Sequence, residues 1–279
     1  MNTPLVLEEL ARHALEGDHD ALDSLVRALQ GDIYGLALRM LWNREDAEDA
    51  TQEILVRVVT RLSQFGFRSR LKTWVYRLAV NYILDVKKSP IEQLHLSFER
   101  FADNRAQGRE PASASDTEHS LLIEEVKVGC SFAMLQCLDR SHRIAFVLGE
   151  IMELSGPEAA EVLNIEQPLF RKRLQLAREA ILQFTRSQCG LVSDAAACRC
   201  HQRVASAAIA SFAEGQPLTF ARRATSFQEA RALVRQVEEA RSALALHHTS
   251  EARASTIDFA QRLVSGMRRP IEPPSESER

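Results

Sequence analysis

Apolar residues recur at three- and four-residue steps through most of this 279-residue chain, and nowhere do they alternate convincingly over a strand-length run. Such spacing gathers side chains on one stripe of an α-helix but scatters them over both faces of a strand. Residues 18–42 show the pattern: Leu22, Leu25, Val26 and Leu29, then Tyr34, Leu38 and Leu41, fall on one side of a helix. Glycine and proline, which interrupt helices, number only 11 and 9. The expected fold is therefore all-α. Helices are expected over about 4–16, 18–42, 44–64 and 71–88, then over 117–137, 140–153, 156–163 and 167–187, and again near 201–213, 225–247 and 250–268.

Between the first two groups, residues 89–117 lose the pattern and end in a Pro/Ala/Ser/Asp-rich run, which reads as a flexible linker. The expected organisation is a four-helix domain (1–88), the linker (89–117), a second helical domain (118–187) and a helical C-terminal extension (188–279) with a disordered tail (269–279). No run reaches the roughly 18 uncharged residues that a membrane helix needs, so no membrane insertion is expected. The N-terminus lacks a basic start followed by an apolar core, which points to the cytoplasm. Five cysteines suit a reduced compartment better than a disulfide framework. The net charge is −3, so any nucleic-acid binding must reside in local patches.

Three patches stand out. "REDAEDATQE", residues 44–53, holds five acidic side chains in ten residues. On a helix Asp46, Asp49 and Glu53 share one face, while Ala47, Ala50, Ile54 and Val58 face the other way, so the acids are presented outward. A metal site is disfavoured because no histidine stands near. A solvated acidic face and a docking face for a basic partner both remain, and the density of charge favours docking. The second patch follows at once: from Arg57 to Lys88 there are eight basic residues and one acid, Asp85. Phe65, Phe67, Trp74, Tyr76 and Tyr82 are interleaved with them, the equipment for stacking single-stranded bases beside a backbone held by cations. Some of these rings are expected to be core.

The third patch is "LSGPEAAEVLNIEQPLFRKRLQLAREAIL", residues 154–182. Ser155 and Glu158 form a capping box that starts a helix, and Asn164 suits the left-handed turn that ends it. Pro168 fits the first turn of the next helix, which carries Phe170, Leu174 and Ala177 inward and Arg171, Lys172, Arg173 and Arg178 outward. Two short helices, a tight turn and a basic second helix make a helix-turn-helix, a duplex-DNA reader.

At these residues the chain resembles the extracytoplasmic-function (ECF) group of bacterial sigma factors over about 10–187. "NREDAEDATQEILVRVV" resembles that family's D-A-E-D-x-x-Q-E helix of region 2. The resemblance implies that Asp46, Glu48, Asp49, Gln52 and Glu53 dock on the β′ clamp of core RNA polymerase. "LKTWVYRLAVNYILD" resembles the helix that captures the −10 element, which places Lys72, Trp74, Arg77 and Asn81, with Arg68 and Arg70 of the preceding loop, at the melted strand. Residues 154–181 resemble region 4, which packs on the β flap and reads the −35 element, here through Gln167, Arg171, Lys172, Arg173 and Arg178. The usual G-T-V-K-S-R opening of that helix is Pro168 to Arg173 here.

The implied protein is a sigma factor, not itself an enzyme, that directs core polymerase to promoter DNA and needs no cofactor. An anti-sigma factor or other regulator is a further expected partner. Within the extension Cys189, Cys198, Cys200 and His201 have two readings: a site for zinc or another soft metal, or small thiols packing a helical appendage. The rival function is a stand-alone helix-turn-helix regulator that binds duplex DNA without polymerase; it gives the acidic helix and the aromatic-basic helix no role.

Overall fold

The computed structural model describes residues 4–86, 96–106 and 116–203. Among them every regular element is helical, and one isolated bridge pairs Cys189 with Cys198. The first four helices are α1 (Pro4–Leu15), α2 (His19–Leu41), α3 (Arg44–Thr60) and α4 (Leu71–Asp85). Local chemistry sets their ends. Gly17, at φ 96°, turns the chain after α1. The Asp18 carboxylate then accepts from the Asp20 and Ala21 amides at 2.9 and 3.0 Å, capping α2. Asn43 caps α3 through the Asp46 amide at 2.9 Å, a contact worth about 1 kcal/mol. The start of α4 is capped from a distance: the Glu8 carboxylate of α1 accepts from the Leu71 amide at 2.8 Å.

The second group is α5 (Phe98–Ala106), α6 (Asp116–Gln136), α7 (Arg140–Phe146), which runs on into a π turn at Val147–Ile151, α8 (Gly156–Leu163) and α9 (Gln167–Gln188). The expected capping box of Ser155 and Glu158 is formed. Asn164 adopts the left-handed conformation at φ 51°, ψ 48°, and α9 opens with proline in its first turn.

One expectation is corrected. The stretch read as a patternless linker contains α5, whose Phe98 and Phe101 lie against Phe184 of α9 with ring centroids 5.2 and 5.3 Å apart. Residues 98, 101 and 102 do sit on one helical face, but the run is too short to show a period by itself. The extension opens as an irregular loop that closes in a 3-10 turn at Cys200–Arg203, and the helix expected near 201–213 lies outside the described residues beyond Arg203. The helices expected near 225–247 and 250–268, and the tail, lie outside the described residues.

The two helical groups share one apolar core. It runs from Leu25, Leu29, Ile33, Ile54, Leu71 and Val75 in the first group to Phe132, Leu135, Ile144, Phe146, Val162, Phe170 and Ile181 in the second. Gly149, in the π turn, lets α9 come close: a Cβ there would stand 2.8 Å from a Leu174 methyl and 3.3 Å from the Phe170 ring. A second, smaller cluster gathers Ile123, Val126, Met134, Phe184, Cys189, Leu191 and Cys200 under α5.

Buried polar groups tie the halves together. Arg143, 3% exposed, donates to the Leu135, Leu138 and Met40 carbonyls at 2.9, 3.0 and 2.6 Å. The last of these belongs to the final turn of α2. Arg140 donates to the Leu84 and Val86 carbonyls at 3.1 and 2.9 Å. A cation there also faces the negative end of the α4 dipole.

Candidate nucleic-acid interface

On α3 the apolar side is buried as expected: Ala47, Ala50, Thr51, Ile54, Leu55 and Val58. Asp49 and Gln52 are exposed, and Asp46, Glu48 and Glu53 are half-buried. Two of these acids are held along the helix by basic neighbours, Glu48 by Arg44 and Glu53 by Arg57, each at 3.0 Å. Arg57 in turn lies over the Tyr82 ring, 4.6 Å from its centroid. Burial, with the carboxylate of Glu53 close by, raises the Tyr82 hydroxyl above its ordinary range. The acidic face and the aromatic-basic helix thus meet along the α3–α4 seam.

The loop before α4 is built on aromatic stacking. Phe65 is buried and lies 4.7 Å from Phe67 and 5.5 Å from Trp74, centroid to centroid. Phe67 is exposed, sits at φ 53°, and has the Arg12 guanidinium 5.0 Å from its ring centre. Arg68, Arg70, Lys72 and Asn81 are exposed, and Trp74 and Arg77 are half-buried. Tyr76 is core: its hydroxyl donates to Asp32 at 2.8 Å, and burial together with that carboxylate pushes it far above the ordinary phenol range. Asp32 also holds the Lys72 ammonium at 2.8 Å. Arg68, Arg70 and Lys72 therefore share the start of α4 with three clustered rings, and Arg77 and Asn81 follow further along the helix.

That face has a neighbour within the chain. Arg77 Nη2 meets Glu161 Oε1 of α8 at 2.8 Å, and Arg70 Nη1 meets Glu158 Oε1 at 3.2 Å. Hydrogen bonds from Ser155, chiefly its hydroxyl, hold the Glu158 carboxyl below its ordinary range, and the Arg70 charge adds to the effect. Helices α4 and α8 pack directly on each other.

On α9, Arg171 and Lys172 are exposed, Arg173 is half-buried, and Leu169 and Leu176, before and after them in the chain, are exposed. Gln167 is turned back toward Gly156. Arg178 is engaged elsewhere: it pairs with Glu150, which is only 7% exposed at the end of α7. It neutralises a buried carboxylate, a packing role that the outward register of the sequence did not reveal.

The cysteines are apart from these faces. None is in a disulfide. Cys189, Cys198 and Cys200 are buried, and Cys189 and Cys200 belong to the smaller apolar cluster. Arg199 folds over this loop, donating to the Asp194 and Cys198 carbonyls at 3.1 Å each. A Cβ at Gly190 would collide with the Arg199 guanidinium and the Cys198 carbonyl. Among the described residues no three His, Cys, Asp or Glu side chains are arranged to hold a metal ion.

Comparison with known proteins decides between the two readings of this surface. Residues 25–89, which span α3, the aromatic loop and α4, match the sigma-70 region 2 family. The chain is similar to sigma factors of the ECF group. It is 28% identical over 179 residues to the ECF RNA polymerase sigma factor SigW of Bacillus subtilis, covering 63% of this chain and 95% of that protein. It is 29% identical over 185 residues to the ECF RNA polymerase sigma-E factor of Escherichia coli, covering 65% and 95%. The RNA polymerase sigma-H factor of Pseudomonas aeruginosa is 27% identical over 179 residues, covering 62% and 91%. More than a third of this sigma factor therefore has no counterpart in these relatives. The stand-alone regulator is not favoured.

Residues that sequence reading did not single out complete the surface. Glu8, Asp32 and Glu161 contact α4 or its basic side chains from positions 40 to 84 residues away along the chain. Only the fold brings them there, and no local signal marks them.

Proposed function

We propose that this ECF sigma factor docks on core RNA polymerase through Asp46, Glu48, Asp49, Gln52 and Glu53 of α3. In this reading the Phe65–Phe67–Trp74 cluster, with Arg68, Arg70, Lys72, Arg77 and Asn81, holds the melted strand of the −10 element. The rings offer stacking faces and the cations meet the backbone. Gln167, Arg171, Lys172 and Arg173 at the start of α9 address the −35 duplex, where a recognition helix enters the major groove by its N-terminal end. Arg178 is left out of that set because it is engaged by Glu150.

The observation that carries the reading is the region 2 match across residues 25–89, joined to an acidic helix whose apolar side is buried and whose acids line its open side. Docking on the β′ clamp and the β flap, work in the cytoplasm and control by an anti-sigma factor all belong to the same proposal. The factor itself carries out no chemistry and needs no cofactor. The cysteine loop is read as packed thiols that fix the start of the extension against α6 and α9, because Cys189 and Cys200 lie among apolar side chains.

The test is transcription from a genomic fragment pool by core polymerase with the full-length protein. Specific starts absent from core alone support the reading. A folded protein that gives no such starts, yet binds duplex fragments by itself, returns the case to the stand-alone regulator.

A further inference from the structure

We infer that Leu169 and Leu176 read thymine by its 5-methyl group: two exposed leucines on one stripe of a basic recognition helix give the factor an apolar contact to bases of the −35 duplex. This deepens the proposed reading of α9 and rests on it.

The open side of α9 is defined by what it buries. Phe170, Leu174, Ala177 and Ile181 are buried, and among the described residues α9 packs chiefly on α7 and α8. By the helical turn, Lys172 lies nearly opposite that buried side, and Leu169 and Leu176 lie together beside it, about 20° apart around the axis. The two leucines are 41% and 44% exposed. Along the axis they stand about 10 Å apart, within about three base steps of B-form DNA. Arg171, exposed, and Arg173, half-buried, flank the same face on its two sides.

A single exposed leucine is ordinary. Here charge and chemistry narrow the occupant of the pair. The cations Arg171, Lys172 and Arg173 around the stripe draw a polyanion and repel a basic protein surface. Leucine has no donor or acceptor, so it cannot answer the N7 and O6 of guanine, the N7 and N6 of adenine or the N4 of cytosine. Set against those edges, it would strip water from polar groups and return no hydrogen bond. The thymine methyl is the apolar group that the major groove presents, and it meets a leucine methyl by the same burial that packs a core. The stripe also ends where the charge changes. Glu179, exposed about one turn beyond Leu176, accepts from the Gln175 amide at 2.8 Å and sets a carboxylate against approaching phosphates.

The experiment uses the full-length protein with core polymerase and a promoter recovered from the genomic fragment pool. Each thymine of its −35 element, on either strand, is replaced in turn by deoxyuridine, which keeps the base pair and removes only the 5-methyl group. Half-saturation of promoter binding by the holoenzyme is measured for the wild type, L169A and L176A. The wild type should lose about threefold to fivefold in affinity at a minority of the thymines. L169A and L176A should each abolish that loss at one of those positions, and each should bind the unmodified promoter at least as weakly as the wild type binds the deoxyuridine form. Both side chains are exposed, so the variants should keep the wild-type unfolding midpoint. A wild type indifferent to deoxyuridine at every thymine overturns the inference, as does an undiminished loss in either leucine variant. A −35 element made of G and C alone overturns it as well. Variants that fail to capture core polymerase on any template would place the leucines against the polymerase, and the methyl contact falls. The underlying reading is judged separately. A wild type that gives no specific starts sinks α9 as a −35 reader, and the inference with it, before any methyl is removed; specific starts without a methyl effect sink the inference alone.

Discussion

Arg143 is the residue whose removal should cost this fold most per atom changed. Its guanidinium is 3% exposed and spends donors on three carbonyls: Leu135 at the end of α6, Leu138 just after it, and Met40 at the end of α2. Arg143→Met keeps much of the volume but removes all three donors. Each buried carbonyl left unpaired costs about 1–3 kcal/mol, partly offset because no charge is then buried, which brings the net loss to about 3–5 kcal/mol. At a urea slope of about 2 kcal/mol per molar, the midpoint should fall by about 1.5–2.5 M. Since Met40 lies in the first helical group and Arg143 in the second, unfolding of both groups should shift together. Urea titration followed by circular dichroism and by Trp42 and Trp74 fluorescence reads this. A loss under about 1 kcal/mol, or a shift in one group with the other untouched, refutes the argument that a buried cation joins two halves of one core.

Three further predictions follow from the same contacts. Arg178→Met leaves Glu150 buried without its partner and should lower stability by about 2 kcal/mol, whereas Arg171→Met, on an exposed cation, should leave it within about 0.5 kcal/mol; equal losses in thermal unfolding would contradict the packing role given to Arg178. Burial pushes the Asp139 carboxyl up, but hydrogen bonds from Ser141 and His142 and the His142 charge outweigh it and hold the group at about 2. Because this folded-state value lies below the ordinary 3.8, its stabilisation is complete above about pH 4 and is lost as the pH falls toward 2; D139N should flatten that part of the acid-unfolding curve, and an unchanged curve would deny the cap its role. Burial, with Cys130 close by and Arg143 opposing, pushes the Cys137 thiol up to about 12, so alkylation at pH 8 should proceed far more slowly in native protein than in urea; mass spectrometry showing rapid native labelling of Cys137 would refute this.

Much of this architecture is legible along the chain because it is local. Capping residues, helical spacing and the Asn164 turn act over a few residues, and the helix ends they imply lie close to those observed, as at Asn43, Ser155 and Asn164. The outward acids of α3 follow from the same spacing. What escaped has a common cause. Helix α5 is two turns long, and its apolar face has meaning only against Phe184. Arg178 points outward by register, yet the end of α7 brings Glu150 beneath it. Arg143 and Arg140 look like surface cations until α2 and α4 present their carbonyl ends. The pairing of α4 with α8 joins residues 84 apart, where no periodicity reaches.

The central claim separates two faces of one small helical unit, and one paired measurement addresses it. Core polymerase capture and promoter-specific starts are measured in parallel for the wild type, D49K on the acidic side of α3, and N81A on the exposed side of α4. The account predicts that D49K loses both capture and starts, while N81A keeps capture and loses starts. Full capture by folded D49K, or unchanged starts from N81A, would contradict it.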